Sequence, residues 1–358
     1  MSTKSLKYWT ILSGPLVAII SIMGHGFTAW LLPIYAFILI PVFELLLPAS
    51  EVNMSEVEEE IALSDPLYDI VVYIMVPFQF LMLAVFLYTI SFTENTVWEI
   101  AGKTFSMGIA CGILGINVAH ELGHRIKPYE RLMSKMLLLT SLYMHFYIEH
   151  NRGHHKNVAT PLDPATSRYG EILYVFWFRS VIFSFLSAWE IEAKMLKKEG
   201  KAVWSLHNEM IQFQLIQLAF IGAIFLVFGL KGMIAFIAAA VIGFLLLECV
   251  NYIEHYGLVR KKSGESSYEK VLPVHSWNSN HAIGRLLLFE LSRHSDHHYK
   301  ASRKYQILRH FDHSPQMPTG YPGMIVLSLF PPLWFYVMHN NIEKYRQKNP
   351  ELSAAWAK

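Results

Sequence analysis

The chain has 358 residues, of which 53% are hydrophobic and only 16% charged, against about a quarter charged in an ordinary soluble domain. Its formal net charge of +2 excludes a nucleic-acid binder that works by bulk basicity. The two cysteines, Cys111 and Cys249, both lie in apolar runs, which excludes a disulfide framework, a zinc ribbon and a cysteine-ligated iron site.

The apolar residues come in blocks. Runs approaching or reaching the roughly 20 residues that cross a bilayer lie at Tyr8–Met23, Thr28–Pro48, Tyr68–Phe92, Trp98–Ala119, Ile211–Leu230 and Gly232–Val250. The first ends at Gly24-His25-Gly26, which makes the first two runs a tight helical hairpin. It has no small-residue cleavage site and leads into another span, so it reads as a span and not as a removable leader. The third and fourth runs turn at Thr93-Glu94-Asn95-Thr96, and the fifth and sixth at Gly229-Leu230-Lys231-Gly232.

Six spans place the N-terminus, the 49–67 loop, the 120–210 region and everything after 250 on one side. Of the 30 Lys and Arg, Lys103 and Lys231 alone belong to the other face, and such an excess marks the cytoplasmic side. The acidic 49–67 loop (Glu56, Glu58, Glu59, Glu60) has little weight in that rule.

The fold expected is an all-α membrane protein with six transmembrane helices and a cytoplasmic, histidine-rich helical cap holding a di-metal site. Residues 1–119 would form the first four spans and 211–250 the last two. Residues 120–210 and 251–358 would form the two cytoplasmic segments. Within them, Met133–Ile148 and Ile172–Ala188 are apolar and helical in pattern, suited to the membrane surface. The Pro- and Gly-rich stretch 314–323 precedes a last apolar run, Met324–Met338, expected as a surface or bundle-packed helix because the parity is complete without it.

Histidine is the outlier, with 17 residues in clusters. They form His120-Glu121-Leu122-Gly123-His124, Glu149-His150-Asn151-Arg152-Gly153-His154-His155, Asn251-Tyr252-Ile253-Glu254-His255-Tyr256-Gly257 and Arg293-His294-Ser295-Asp296-His297-His298. Pairs at i, i+4 (120/124, 150/154) or i, i+3 (294/297) share one helix face, close enough to aim at one point. Each adjacent His-His pair lets one helix end serve two neighbouring targets.

Parity brings all four clusters to one membrane face, so nine imidazoles converge: His120, His124, His150, His154, His155, His255, His294, His297 and His298. Nine exceed what one ion takes, whereas two ions with four or five nitrogens each use them all. Imidazole suits iron, copper, nickel and zinc alike. The greasy setting favours iron, which activates dioxygen against an apolar substrate.

Each cluster alone also has a plainer reading as surface decoration or a hydrogen-bonded core histidine; it is their coincidence that argues for metal. His120-Glu121-x-x-His124 fits the zinc-protease helix, but a protease leaves the other clusters without a task. Glu121-x-x-His124 also fits a carboxylate di-iron helix, which requires a second such pair that the chain lacks. The other eight histidines read as ordinary; for His275 and His281 the alternatives are a place behind the ligands or at a substrate rim.

A ligating imidazole usually gives its other N–H to a carboxylate or carbonyl. Glu121, Glu149, Glu254 and Asp296 adjoin the ligands in sequence. Glu248, late in the sixth run, would cost about 2.5–3.5 kcal/mol at the bilayer centre and should face the interior or the metal site.

These boxes, with the linking stretches 159–168 and 318–323, resemble the integral-membrane alkane 1-monooxygenases (AlkB type) of the membrane desaturase/hydroxylase superfamily, over about residues 70–330. The box containing His255-Tyr256-Gly257 separates the alkane hydroxylases from the wider group. Ser292 stands where the family usually has Gln, and Arg125 where Lys is common.

The resemblance implies a non-haem centre of two iron ions and terminal hydroxylation of linear alkanes drawn from the bilayer. It also implies dioxygen, and electrons from a separate rubredoxin with its NADH-dependent reductase. A bacterial inner-membrane location follows, with the site on the cytoplasmic side. Basic residues such as Arg260, Lys261, Lys262, Lys300, Arg303 and Lys304 would steer an acidic donor. The rivals are a desaturase or hydroxylase of another lipid with the same metals and, in another class, a membrane metal transporter, which would place ligands near the bilayer midplane.

Overall fold

The computed structural model describes residues 3–265 and 267–350. Among these the protein is helical, with three isolated β-bridges and no strand. Five helices are long and apolar enough to cross a membrane: α1 (Lys4–Met23), α2 (Gly26–Leu46), α4 (Leu67–Phe92), α5 (Val97–Gly123) and α9 (Glu209–His255). Between α2 and α4 lies the acidic α3 (Glu56–Ser64).

The expected fifth and sixth runs form one 47-residue element, α9, broken at Gly229, where φ is 68° and ψ −174°. Only glycine enters that backbone region freely, and the break falls at the first residue of the expected turn.

The chain forms two compact units, made of residues 1–39, 64–151 and 185–247, and of residues 40–63, 152–184 and 248–358. In the first unit α5 is the central helix: 89% of its apolar window is buried, against 33% for α1 and 50% for α4. Glycine lets it pack closely. A Cβ on Gly108 would stand 2.5 Å from the Ile242 side chain, and one on Gly243 2.6 Å from Cys111 Cβ. Small residues of this kind bring helices together where lipid offers no hydrophobic drive.

Several polar side chains inside this unit pair with one another, as apolar surroundings favour. Ser21 Oγ and Ser106 Oγ are 2.7 Å apart, and Gln79 Nε2 donates to Thr140 Oγ1 at 3.1 Å. The turn before α5 closes with a capping box in which Glu99 N donates to Thr96 Oγ1 and Thr96 N to Glu99 Oε2. Large apolar side chains such as Leu16, Leu81 and Leu226 point outward, as on a lipid-facing surface.

The run expected as one helix over Met133–Ile148 is two. Helix α6 (Pro128–Leu139) stops where Thr140 Oγ1 bonds back to Leu137 O and Leu142 takes a positive φ of 51°. Helix resumes as α7 (Phe146–Glu149), followed by a π turn over His150–His154. The Ile172–Ala188 run is longer than expected, as α8 (Leu173–Lys198).

The second unit is mostly loops and short helices around buried aromatics, among them Tyr252, Tyr256, Trp277, Tyr305, Tyr321 and Trp334. Arginines tie its separate stretches together: Arg293 donates to Val52 O and Leu308 O, Arg285 to Ser50 O, and Arg309 to both oxygens of Glu59. Two of its short helices are α10 (Ala282–Leu287) and α11 (His294–Tyr299).

The Met324–Met338 run is split at Pro331-Pro332 into α12 (Tyr321–Ser328) and α13 (Pro331–Lys348). Helix α13 buries Trp334, Met338 and Ile342, one face at i, i+4, i+8, as a packed helix does. Neither is apolar and long enough to cross a membrane.

Candidate metal centre

Two of the histidine boxes end long helices. His120 lies in the last turn of α5, not after it, and His255 is the last residue of α9. A long packed helix fixes the position of its final turn, so each box begins from a rigid support.

In the second unit, His154, His255, His294 and His298 present Nε2 atoms to one another. The separations are 3.2 Å for His154–His298, 2.9 Å for His298–His294 and 3.3 Å for His294–His255. The four donor atoms fall within 4.8 Å of one another, and all four residues are buried. Four nitrogens set about 2.0–2.1 Å from one first-row ion stand roughly 3.3 Å apart. The donor set therefore fits a metal ion.

The far side of two of the four rings is also engaged. His154 Nδ1 lies 2.9 Å from Asp163 Oδ2, and His255 Nδ1 faces His275 O at 3.4 Å. These are the outer partners that fix a ligating imidazole's tautomer. Burial works to raise the Asp163 carboxyl. The charge of His154, with hydrogen bonds from His154 and Thr166, prevails and holds it below the usual range. Burial, followed by the neighbouring imidazoles, pushes His298 well below the ordinary histidine range, which keeps the ring neutral as a ligand must be.

His155 and His297 pair in the same unit, with Nε2 atoms 3.0 Å apart. In the first unit, His120, His124 and His150 pack ring on ring at centroid distances of 4.5–5.1 Å. His150 Nε2 is 3.1 Å from His124 Nε2.

The helix-face expectation is thus met for His120 and His124 and for His294 and His297, whose stacked rings lie 5.5 Å apart, and is corrected for His150 and His154. His150 stands against His124 while His154 stands against His298, because the stretch between them is a π turn rather than an α turn. His294 also meets His298, one turn on, nitrogen to nitrogen. The adjacent His297 and His298 face different partners, His155 and His154 respectively.

Among the carboxylates, Glu254 Oε2 lies 3.1 Å from His294 Nε2, and its Oε1 accepts from Tyr321 OH at 2.8 Å. Glu121 Oε1 accepts two N–H groups of Arg125, which also reaches Asp69. Glu149 is buried. Glu248 Oε2 accepts from Asn251 Nδ2 at 3.3 Å. Asp296 Oδ2 accepts from Arg309 N, with Arg303 Nε at 3.6 Å.

Sequence reading missed Asp163 and Tyr321. Asp163 heads an Asx turn, with Ala165 N and Thr166 Oγ1 donating to its carboxylate. Asp163-Pro164 in a polar stretch signals such a turn, but not which histidine it faces.

A model of the fatty acid desaturase family matches residues 96–328, which include all nine histidines. The chain belongs to this family. Within it, the chain is 38% identical to alkane 1-monooxygenase 2 of Alcanivorax borkumensis over 95% of its own length and 90% of that protein's. It is 40% identical to alkane 1-monooxygenase of Acinetobacter baylyi, over 88% of this chain and 77% of that one. A more distant relative is the xylene/toluene monooxygenase hydroxylase component XylM of Pseudomonas putida, 32% identical over 66% of this chain and 63% of that one. The desaturase-family match spans both the trio of the first unit and the nest of the second.

Proposed function

We propose that this protein is an integral-membrane alkane 1-monooxygenase that uses two iron ions held by nine histidines. The observation that carries the reading is the four-histidine nest, whose buried Nε2 atoms all turn to one point, in a chain akin over most of its length to alkane 1-monooxygenases.

His154, His255, His294 and His298 hold one ion. The remaining histidines of the nine are left for the other. Chain adjacency supports that division, because His154-His155 and His297-His298 each give one member to the nest and leave the next beside it. When bound, iron supplies the activation of dioxygen that a terminal C–H bond requires.

The protein's own residues supply the rest. Asp163 keeps His154 oriented, the buried rings exclude water, and the apolar helices deliver a linear alkane so that its methyl end is the carbon within reach. Ligands at helix ends, as with His120 and His255, suit an enzyme at a membrane face better than a transporter with a midplane site.

Six spans are the natural reading of five helices, since 47 residues of α9 extend about 70 Å, more than twice the hydrocarbon core. The resulting parity gives four spans in 1–119, two in 211–250, and metal-bearing segments 120–210 and 251–358 on the cytoplasmic side of the bacterial inner membrane. Electrons come from a rubredoxin served by an NADH-dependent reductase. The kinship to XylM favours, as the second reading, a methyl group borne on another hydrocarbon.

The test is conversion of octane to 1-octanol by purified protein with rubredoxin, reductase and NADH. NADH-dependent alcohol formation supports the reading. Absence of product from iron-loaded protein, with xylene oxidised instead, favours the second.

A further inference from the structure

The turn that carries Asp163 is fastened from outside as well as from within. Asp163 keeps its carboxylate 2.9 Å from Nδ1 of His154, and Ala165 N and Thr166 Oγ1 donate to that carboxylate. Arg179, in the second turn of α8, grips the backbone of the same turn. Its Nη1 donates to Pro164 O and its Nη2 to Thr166 O, each at 2.9 Å. We infer that Arg179 is a positioning residue of the four-histidine nest: its guanidinium fixes the 163–166 turn, and the turn fixes the acceptor of His154.

The turn is short of donors of its own. Pro164 has no N–H, and the turn is buried from Asp163 to Thr166, where backbone carbonyls must find a partner. Arg179 supplies it and is itself anchored, because its Nε and Nη2 take the two oxygens of Glu171 at 2.7 Å each. The Arg179 and Glu171 side chains are 14% and 8% exposed. One planar guanidinium thus serves a carboxylate and two carbonyls at once, a task that the point charge of lysine cannot reproduce.

The same network reaches a second ring of the nest. Tyr252 OH donates to Glu171 O at 2.6 Å, and Ser167 Oγ donates to Tyr252 O at 2.7 Å. Tyr252 lies in the last turn of α9, which ends at His255. The acceptor of His154 is therefore held in register with the helix end that bears His255. All of these residues belong to the second unit. A ligating imidazole depends on its outer partner for orientation and donor strength, so slack in the turn becomes slack at the ligand.

The inference rests on the nest holding iron, and the experiment separates the two. Full-length protein in detergent is loaded with Fe(II), and competition with a chelator is followed for wild type, Arg179→Lys, Asp163→Asn and the double variant. Wild type should hold two irons. Arg179→Lys should bind one of them several-fold more weakly, by less than the about 10–100-fold expected of Asp163→Asn. The retained second iron shows that the variant is folded. Because Arg179 acts through Asp163, the double variant should bind iron no more weakly than Asp163→Asn alone, which a general loss of stability would not reproduce.

If Arg179→Lys loses both irons, Glu171→Gln carries the test. It leaves the guanidinium its two carbonyls but removes the charge that anchors it, and the same pattern with Asp163→Asn is expected. Two irons in wild type, with both affinities unchanged in Arg179→Lys, overturn the role of Arg179 alone. Losses from Arg179→Lys and Asp163→Asn that multiply in the double variant overturn it too. A wild-type chain that takes up no iron overturns the iron reading and the inference with it.

Discussion

Replacing Asp163 by Asn probes the nest without touching a ligand. The aspartate is 2% exposed, its Oδ2 is 2.9 Å from His154 Nδ1, and Thr166 Oγ1 and Ala165 N brace the carboxylate. The substitution removes the negative charge and preserves the shape, so His154 keeps its place but becomes a poorer donor. Hydrogen bonds to charged groups contribute about 1.5–3 kcal/mol. Loss of the carboxylate partner of a ligating histidine lowers metal affinity about 10–100-fold, which corresponds to about 1.4–2.8 kcal/mol. The two estimates agree. Competition with a ferrous chelator should therefore show one of two irons binding 10–100-fold more weakly in D163N, with the other unchanged. Asp163→Ala should be worse, because it leaves a buried imidazole N–H without its acceptor. Equal affinity for both irons in wild type and D163N would refute the assignment of Asp163 as the outer partner of a ligand.

Close helix packing makes Gly108 sensitive: Gly108→Val drives side chain into Ile242 and should destabilise by about 1–3 kcal/mol, read as a lower melting temperature in detergent. Gly229→Ala places a Cβ at φ 68°, ψ −174° and should cost a similar amount, about 1–3 kcal/mol, whereas an alanine at neighbouring Leu230 should not. Hydrogen bonds from Arg309, ahead of the charges of Arg309 and Arg303, hold Glu59 below its ordinary value of 4.5. A depressed carboxyl stabilises fully above that value and loses its contribution as pH falls beneath it. The stability gap between wild type and Glu59→Gln, under about 1 kcal/mol, should thus be present at neutral pH and close in acid.

Much of the histidine clustering could be read in advance because its members lie at short intervals along the chain. Histidines at three- and four-residue intervals, and doubled at 154–155 and 297–298, carry their meaning within a few residues. Apolar blocks announced the spans for the same reason. What the spacing could not give was direction. His150 and His154 face different partners because the chain between them takes a π turn, which leaves no mark in a four-residue interval. Asp163 and Tyr321 reach their partners only when segments 9 and 67 residues away are folded against them. The break after Leu139 turns on a positive φ at Leu142, and leucine gives no warning of that conformation. Conversely, Gly229 did mark the break in α9, since glycine is the residue that such a backbone requires.

The central claim is that His154, His255, His294 and His298 grip one ion. A density map of the iron-loaded protein tests it directly: the account predicts a peak about 2.0–2.2 Å from each of the four Nε2 atoms. Rings turned apart, with no peak among them, would contradict it.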